Sequence, residues 1–480
     1  MVNESAPKPH VAFLPSPGMG HITPLYELAV RLVTQHNFQV TFFVVTAGAT
    51  IAQDSYITAY PLPDLHIVDL PLPKVSNQVL DEMTTVARLC YVVEQSIRPL
   101  RSVINGLKRP KPKALVIDMF CTGVFEACKD LSIPVYSFFT ASTFLLTFSL
   151  YLPTLDYKGD GEFVDQPEPV KVPGCTPIRT QDLMVLVPKS MINEYKLWFM
   201  HISRLSMVSG IFVNSWEDLE PVSLKAVKHE PFFVDIPTPP VYPIGPLTKQ
   251  VEPVLSEYEK ETIAWLDEQP RDSVLFVALG SGGTLTSEQL TELAWGLELS
   301  QQRFVLVVRK PSDCAISGFF SAGRDADDPM AYLPDGFVER TNRVGRVVSS
   351  WAPQVAVLSH MSTGAFLTHC GWNSIVESVK YGVPMIAWPL YAEQRLNAAM
   401  LSDEVGVAVR MPVVGEGGET VMVGRKEIES VVKAVMEGED GKKLRKRAKE
   451  LEASGRETLS CGGSSYDTLA RVAESWSIKT

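Results

Sequence analysis

The sequence lacks several features that would place it in whole classes of protein. Its 480 residues include 44 lysines and arginines against 55 aspartates and glutamates, which gives a net charge of −11. Because nucleic acids and anionic membranes require a basic face, neither is expected as a main partner. No uncharged apolar run reaches the ~18 residues that a membrane-spanning helix needs, so none is expected.

Paired cysteines and a secretory leader are missing as well. The seven cysteines are an odd number without a Cys-x-x-Cys pair, which is typical of free thiols in a reducing compartment. The opening residues, MVNESAPKPH, contain no apolar core of a signal peptide. These absences predict a cytoplasmic protein, and the proportions of 45% hydrophobic and 21% charged residues are those of a globular chain.

Short apolar runs, rich in β-branched and aromatic residues, alternate with helix-like segments in two successive sets. The first set of predicted strands lies at residues 10–15, 39–45, 65–70, 114–120, 134–139, 210–216 and 241–247. The second set lies at residues 273–281, 303–309, 345–351, 363–369 and 384–389. Helical patterns separate several of these runs, at residues 24–36, 121–131, 287–300 and 373–382. The alternation predicts an α/β protein with two doubly wound, Rossmann-like halves.

A polar stretch at residues 248–262 interrupts this pattern and predicts a linker. We therefore expect an N-terminal domain over residues 1–247 and a C-terminal domain over residues 263–455. The final residues, 456–480, predict a helix that packs back on the N-terminal domain.

The segment PSPGMGH, residues 15–21, joins the first predicted strand to a helix. Its glycines, Gly18 and Gly20, begin a GxGxxG-like pattern, but Thr23 stands where the third glycine belongs and no acidic residue follows the second strand. A nicotinamide-dependent oxidoreductase is therefore kept only as an alternative. The helix start places His21 at the carboxyl edge of the sheet, where α/β proteins bind ligands. It also favours the neutral imidazole that a general base requires.

Asp118 lies near the carboxyl end of another predicted strand, within ALVIDMF. A buried carboxylate is costly unless it is paired, so we expect it to bind Nδ1 of His21 and to stabilise the imidazolium. No GxSxG elbow supplies a serine nucleophile, so the nucleophile is expected to arrive with the substrate. Met19 and Phe120 flank this pair and are predicted to be walls of the acceptor pocket.

The most specific signal is WAPQVAVLSHMSTGAFLTHCGWNSIVESVKYGVPMIAWPLYAEQ, residues 351–394. It resembles the signature box of plant secondary-product UDP-glycosyltransferases along its whole length. PSPGMGH and the segment GSGGTLTSEQL (residues 280–290) are similar to the same family, and in particular to its hydroquinone (arbutin-forming) glucosyltransferase branch. The resemblance covers essentially the whole chain. It implies a GT-B fold, in which two Rossmann-like domains face each other across a cleft.

The resemblance also implies roles for the residues of the box. Trp351 would stack on uracil, Ala352 and Gln354 would read the edge of the base, and Glu377 would accept the ribose hydroxyls. The residues implied for the diphosphate, at the start of a helix, are Ser281, His369, Asn373 and Ser374. Those implied for the sugar are Glu393, Gln394 and the backbone of Trp372, and Thr140 is implied for either the sugar 6-hydroxyl or the acceptor. Ala392 is implied as an acceptor contact, and the terminal glutamine of the box goes with glucose as the donor sugar.

The implied function is inverting, UDP-glucose-dependent formation of β-glucosides on small phenolic acceptors of the hydroquinone, phenylpropanoid or indoxyl kind. The alternatives are N- or S-glucosylation, the oxidoreductase, and a catalytically silent sugar-nucleotide binder. The protein is expected to be a monomer without a cofactor. No metal is expected, because His369-Cys370 has no second ligand pair at a suitable spacing. The Asp-Ala-Asp triplet at residues 325–327 lies in a polar insert rather than after a strand.

Overall fold

The computed structural model describes residues 8–46, 50–59, 61–70, 80, 82–107, 109–156, 168–184, 192–235, 238–249, 255–316, 328–415 and 418–477. Within these ranges the chain forms two sheets in which all paired strands are parallel. The prediction of two doubly wound α/β halves is confirmed. The Asp-Ala-Asp triplet at residues 325–327 lies outside the described residues.

The first sheet has the strand order β3-β2-β1-β4-β5-β6-β7. Its strands are β1 (His10–Leu14), β2 (Gln39–Val45), β3 (Leu65–Leu70), β4 (Leu115–Asp118), β5 (Val135–Phe139), β6 (Gly210–Val213) and β7 (Val241–Pro243). The second sheet has the order β10-β9-β8-β11-β12-β13. Its strands are β8 (Val274–Ala278), β9 (Arg303–Val308), β10 (Gly345–Ser349), β11 (Thr363–Thr368), β12 (Met385–Ala387) and β13 (Ala408–Arg410).

Helices cover both sheets. Those of the first half are α1 (Met19–His36), α2 (Ile51–Thr58), α3 (Thr85–Ile97), α4 (Leu100–Gly106), α5 (Val124–Ala127), α6 (Thr143–Leu155), α7 (Ile192–Ser203), α8 (Pro221–His229) and α9 (Pro231–Asp235). Those of the second half are α10 (Glu257–Asp267), α11 (Ser287–Ser300), α12 (Phe337–Thr341), α13 (Gln354–Ser359), α14 (Trp372–Lys380), α15 (Gln394–Met400), α16 (Arg425–Met436), α17 (Glu439–Thr458) and α18 (Ser464–Ser477). None of the described helices is long and apolar enough to cross a membrane.

Most strands are mainly apolar and are buried on both faces, while the edge strand β3 is partly exposed. In β1, Ala12 and Leu14 enter one hydrophobic cluster while Val11 and Phe13 enter another on the opposite face. This is the side-chain alternation of a strand sandwiched between two layers of helices. The helix α18 contributes Leu469, Val472, Ala473 and Trp476 to the second of these clusters, so it packs on the first sheet. The domain boundaries given above remain predictions.

Four elements differ from the sequence-based expectation. The helix α10 begins at Glu257, inside the stretch predicted as a linker. The strand β13 was not predicted, because AVR is too short to show a period. The predicted helix at residues 121–131 is reduced to α5 and a single 3₁₀ turn. The helix α1 begins five residues earlier than expected and contains Pro24 in its interior. The carbonyl of Gly18 accepts the amides of His21 and Ile22 and so starts the helix there.

Candidate active site

The two sheets reverse their strand order at β1/β4 and at β8/β11. His21, Phe120, Ser281 and His369 follow these four strands, while Thr140, Trp351 and Glu393 follow β5, β10 and β12. In open α/β sheets such switch points leave a crevice at the carboxyl ends of the strands. Here the two crevices face one cleft with about 1590 Å³ of empty space, part of it open to solvent. Its lining includes nearly every predicted site residue: Met19, His21, Phe120, Thr140, Ser281, Trp351, Ala352, Gln354, His369, Trp372, Asn373, Ser374, Glu377, Ala392, Glu393 and Gln394.

Asp118 lies behind His21, fully buried, while the His21 side chain is 15% exposed. His21 Nδ1 and Asp118 Oδ2 are 2.9 Å apart. A carboxylate can only accept a hydrogen bond, so Nδ1–H donates, and in the neutral ring Nε2 is the nitrogen without a proton. The edge of Phe120 meets the His21 ring, with centroids 5.7 Å apart. This arrangement presents a basic nitrogen at the cleft.

The charges of the pair support one another. Burial opposes the imidazolium, but the Asp118 charge and its hydrogen bond outweigh burial and raise the pKa of His21. Burial likewise opposes the carboxylate, but His21 and the donors around Asp118 hold the pKa of that carboxyl below its usual value. Asp118 therefore acts against burial and against the helix start, which favours the neutral ring.

Three further donors fix the carboxylate. The Ser16 hydroxyl and the Phe120 amide donate to Oδ1 at 2.8 and 3.0 Å. The Thr140 hydroxyl donates to Oδ2 at 3.0 Å and is 3.0 Å from Nδ1 of His21. Thr140 thus braces the pair and also lines the cleft, and its contact with the sugar or the acceptor stays a prediction. Ser16 was not predicted, although it lies within the PSPGMGH motif.

On the opposite side of the cleft, in the second half, the Gln354 side chain contacts two residues with different assignments. The sequence assigned Ser374 to the diphosphate and Glu377 to the ribose. The Gln354 side-chain amide donates to the Ser374 hydroxyl at 3.0 Å and to a Glu377 carboxylate oxygen at 2.6 Å. Burial raises the pKa of Glu377, while Lys249 and Gln354 oppose this rise. Lys249 was not predicted, because it lies in a polar linker without any motif. Its ammonium lies 5.6 Å from the Trp351 ring centroid, within the range of a cation–π contact.

His369 is held in a slot between two glycines. A Cβ on Gly280 or on Gly371 would approach the ring to 2.4 Å, so neither position tolerates a side chain without displacing it. Burial lowers the pKa of His369 to about 4, which keeps the ring neutral at neutral pH. Its buried Nδ1 has no hydrogen-bond partner among the described residues. Gly280 precedes Ser281, whose carbonyl accepts Arg309 Nη1, a further residue that the sequence did not reveal.

The sugar-assigned residues begin α15. The side-chain oxygen of Gln394 accepts the amides of Leu390 and Tyr391 at 2.9 and 3.0 Å, which leaves its NH₂ group as a donor. Burial raises the pKa of Glu393, and the charge of Glu393 contributes to the raised pKa of His21. The sugar-assigned end of the box therefore interacts electrostatically with the predicted base.

Uncommon backbone conformations frame the cleft. Ser350, Cys370 and Ala392 have φ values of 61°, 66° and 53°, which non-glycine residues seldom adopt. Each immediately precedes a lining residue: Trp351, Gly371 and Glu393. Strained backbone of this kind persists at sites where it aims functional groups.

Two side chains of α14 reach across to the first half. Trp372 Nε1 donates to the Asn214 carbonyl at 3.1 Å, and Asn373 Nδ2 donates to the Gly20 carbonyl at 3.0 Å. The Gly20 carbonyl is available because Pro24, four residues later in α1, has no amide hydrogen. The helix assigned to the diphosphate is thus hydrogen-bonded to the residue preceding His21.

Beyond His21 the cleft is apolar. Its lining at this end includes Leu89, Leu145, Met184 and Trp198, which come from scattered parts of the first half. No motif marked these residues, so the sequence did not predict them. Within the described ranges, no group of three or more His, Cys, Asp or Glu side chains could hold a metal ion. Independence from metals and cofactors remains a prediction.

Comparison with known proteins supports the geometric reading. Residues 256–447 match the family described as UDP-glucoronosyl and UDP-glucosyl transferase. The chain is 43% identical over 474 residues to a hydroquinone glucosyltransferase of Rauvolfia serpentina, covering 98% of each protein. It is similar to a crystal structure of TcCGT1 in complex with UDP, with a TM-score of 0.89 and 42% identity over 98% of this chain and 99% of that one.

A second structural neighbour is a UDP-glucosyltransferase from Polygonum tinctorium described as capable of glucosylating indoxyl, in a complex with 3,4-dichloroaniline. It has a TM-score of 0.86 and 39% identity over 99% of this chain and 100% of that one. These matches confirm the resemblance to this family and the GT-B fold, and they give no support to the nicotinamide oxidoreductase. The chain belongs to the UDP-glycosyltransferase family and is a UDP-glycosyltransferase by fold and descent.

Proposed function

We propose that the protein transfers glucose from UDP-glucose to small phenols and forms β-glucosides. The observation that carries the proposal is the 2.9 Å contact between His21 and Asp118, in the same cleft as the box that ends at Gln394. One wall offers a base and the other offers groups suited to a sugar nucleotide. Confinement of both reactants between the walls orients them and limits hydrolysis of the donor.

The reaction follows from this arrangement. A phenol has a pKa of about 10 and needs help to lose its proton at neutral pH. Nε2 of His21 takes the proton as the phenolic oxygen attacks the anomeric carbon, and Asp118 stabilises the imidazolium that forms. The bond from that carbon to the phosphate oxygen breaks as the new bond to oxygen forms, and UDP leaves. Displacement from the opposite face converts an α-linked donor into a β-glucoside.

Leaving-group stabilisation is assigned to the second half. The first turn of α14 presents backbone amides and the Ser374 hydroxyl, which suit a diphosphate. His369, neutral because of its burial, donates one hydrogen bond without adding charge. The NH₂ of Gln394 and the carboxylate of Glu393 are proposed to bind the sugar hydroxyls, and this assignment supports glucose as the donor.

The acceptor is proposed to be an uncharged aromatic molecule. The walls beyond His21 are apolar, and burying a charge there without a partner is costly. The names of the relatives, one acting on hydroquinone and one on indoxyl, support a flat phenolic or enolic acceptor. N- or S-glucosylation is the alternative, since an aniline or thiol could enter the same space.

The test is an acceptor screen with UDP-glucose that reads products by mass and by the anomeric proton coupling. We expect β-glucosides of neutral phenols, and slower transfer to 4-hydroxybenzoate, which carries a carboxylate. His21→Ala is expected to lower kcat about 10²- to 10⁴-fold and to leave UDP affinity unchanged. Products of α configuration, or a His21→Ala variant with full turnover, would refute the mechanism.

A further inference from the structure

A second cavity lies beside the cleft, between α1, the carboxyl end of α14 and the connection from α17 to α18. It has about 830 Å³ of empty space, part of it open to solvent. Its described lining comprises Arg31, Gln35, His36, Lys249, Lys380, Tyr381, Leu459, Tyr466 and Leu469. Three of these side chains are permanent cations, and none of the described lining residues is a carboxylate. That composition is unexpected in a protein with a net charge of −11.

The cations of this cavity are partly removed from water. Burial lowers the pKa of Arg31 to about 10 and also lowers the pKa of Lys380. Nε of Arg31 is buried and has no hydrogen-bond partner among the described residues. Lys380 donates one hydrogen bond, to the Thr248 hydroxyl at 2.5 Å. Desolvated cations with spare donors favour an anionic ligand.

Two nearby carboxylates offset part of the positive charge. Glu27 acts on Arg31 and Lys380, and Glu377 acts on Lys249 and Lys380, but neither carboxylate lines the cavity. Each also accepts a hydrogen bond at 2.6 Å, Glu27 from the Tyr56 hydroxyl and Glu377 from the Gln354 amide. Three cations therefore face two carboxylates, which leaves an excess of positive charge at the cavity.

His36 adds no charge at neutral pH, because burial and Arg31 lower its pKa. The carboxyl ends of α1 and α14 lie at this cavity and disfavour an anion through their partial negative charge. An anion in this cavity must therefore be bound by the cationic side chains. Guanidinium offers a planar fork of donors that matches a tetrahedral oxyanion, and the ammonium groups add point charges.

We propose that this cavity binds a phosphate-bearing anion at a site separate from the cleft. Arg31 and Lys380 are the principal contacts, with Gln35 and the Tyr466 hydroxyl as further polar groups of the lining. Lys249 lines both the cavity and the cleft, and its ammonium lies 5.2 Å from the Tyr56 ring centroid as well as beside Trp351. The experiment must therefore separate the two sites.

The test is a calorimetric titration of the protein with inorganic pyrophosphate at fixed ionic strength, in the presence of saturating UDP to occupy the cleft. We expect one molecule bound per chain. Arg31→Gln and Lys380→Gln should each weaken binding about tenfold or more, the loss of a charge-assisted hydrogen bond. Arg101→Gln is the matched control, because Arg101 is an exposed arginine paired with Asp130 and lies outside the lining, and it should change nothing.

Absence of binding under saturating UDP, or binding that Arg31→Gln and Lys380→Gln leave unchanged, would overturn the proposal. A second measurement does not depend on variants that fold. Crystals of the unaltered protein soaked in tungstate should show an anomalous peak between Arg31 and Lys380. A peak confined to the region of Ser281 and His369 would assign the anion to the cleft and also overturn the proposal.

Discussion

At the scale of single residues, His21 depends on Asp118 for its charge as well as its orientation. In the proposed mechanism the base is the neutral ring, so activity should fall as the pH drops through the raised pKa of His21. Asp118→Asn removes the charge that opposes burial, and the pKa of His21 should then fall. We expect the acid limb of kcat/KM to move to lower pH and the plateau to drop about 10²-fold or more.

Ser16→Ala provides the matched control for that profile. It removes one of the hydrogen bonds to Asp118 but leaves the carboxylate charge in place. The acid limb should therefore move much less than in Asp118→Asn. Equal displacements in the two variants would contradict the dominance of charge.

A second histidine, His201, should make the free energy of unfolding depend on pH. Burial lowers the pKa of His201 to about 4, and its buried Nε2 has no partner among the described residues. Because the unfolded chain takes up this proton near pH 6.5 and the folded chain does not, stability should be lost as the pH falls between these values. The loss from this residue is about 2 kcal/mol between pH 7 and pH 5.

Urea unfolding at both pH values tests this expectation. In His201→Gln the difference in unfolding free energy between pH 7 and pH 5 should shrink by that amount, whatever the variant costs at pH 7. A pH dependence identical to that of the parent protein would show that His201 is not the titrating group.

At the scale of elements, the turn after β8 shapes the slot for His369. Gly280 has a φ of +74°, and a Cβ there would approach the His369 ring to 2.4 Å. Gly280→Ala should therefore displace the ring and weaken UDP binding. Gly406→Ala is the matched control, because Gly406 has a φ of +75° but nothing within 4 Å of its Cβ. Both should lose about 1–2 kcal/mol of stability, and only Gly280→Ala should lose UDP affinity in a calorimetric titration.

The sequence predicted the strands and helices more completely than it predicted the side chains that meet at the cleft. Apolar runs such as QVTFFVV coincide with β2 because a strand buried on both faces needs uninterrupted apolar residues. The position of α1 was misjudged because Pro24 reads as a helix start, whereas it lies inside the helix. Lys249 and Arg309 could not be predicted, since their roles come from contacts between segments distant in sequence.

At the scale of the whole molecule, α18 holds the end of the chain against the first half. Trp476 meets Phe38, Tyr136 and Phe212 edge to face and is 4% exposed. Trp476→Ala should destabilise the protein by about 3–5 kcal/mol, while Trp476→Phe should retain part of that stability. Differential scanning calorimetry measures both. An unchanged unfolding temperature in Trp476→Ala would show that this packing does not limit stability.

The sequence indicated the candidate donor-site residues of the second half better than the candidate acceptor-site residues of the first half. Most residues assigned to the nucleotide sugar lie within 351–394, with Ser281 and Thr140 outside it, so one segment of sequence indicates most of them. The walls proposed for the acceptor come from separate elements, as Leu89 in α3, Leu145 in α6 and Trp198 in α7 show. Their identity as a surface exists only after folding, which is why the sequence predicted the donor more sharply than the acceptor.

The hydrogen bond from Asn373 to Gly20 has a consequence for the order of events in turnover. A diphosphate at the start of α14 would draw on the same amide that steadies the residue before His21. Nucleotide occupancy should thus precede productive docking of the phenol, giving a compulsory-order steady-state pattern. UDP should then inhibit competitively against UDP-glucose and non-competitively against the phenol. In Asn373→Ala the order of substrate binding should become more nearly random.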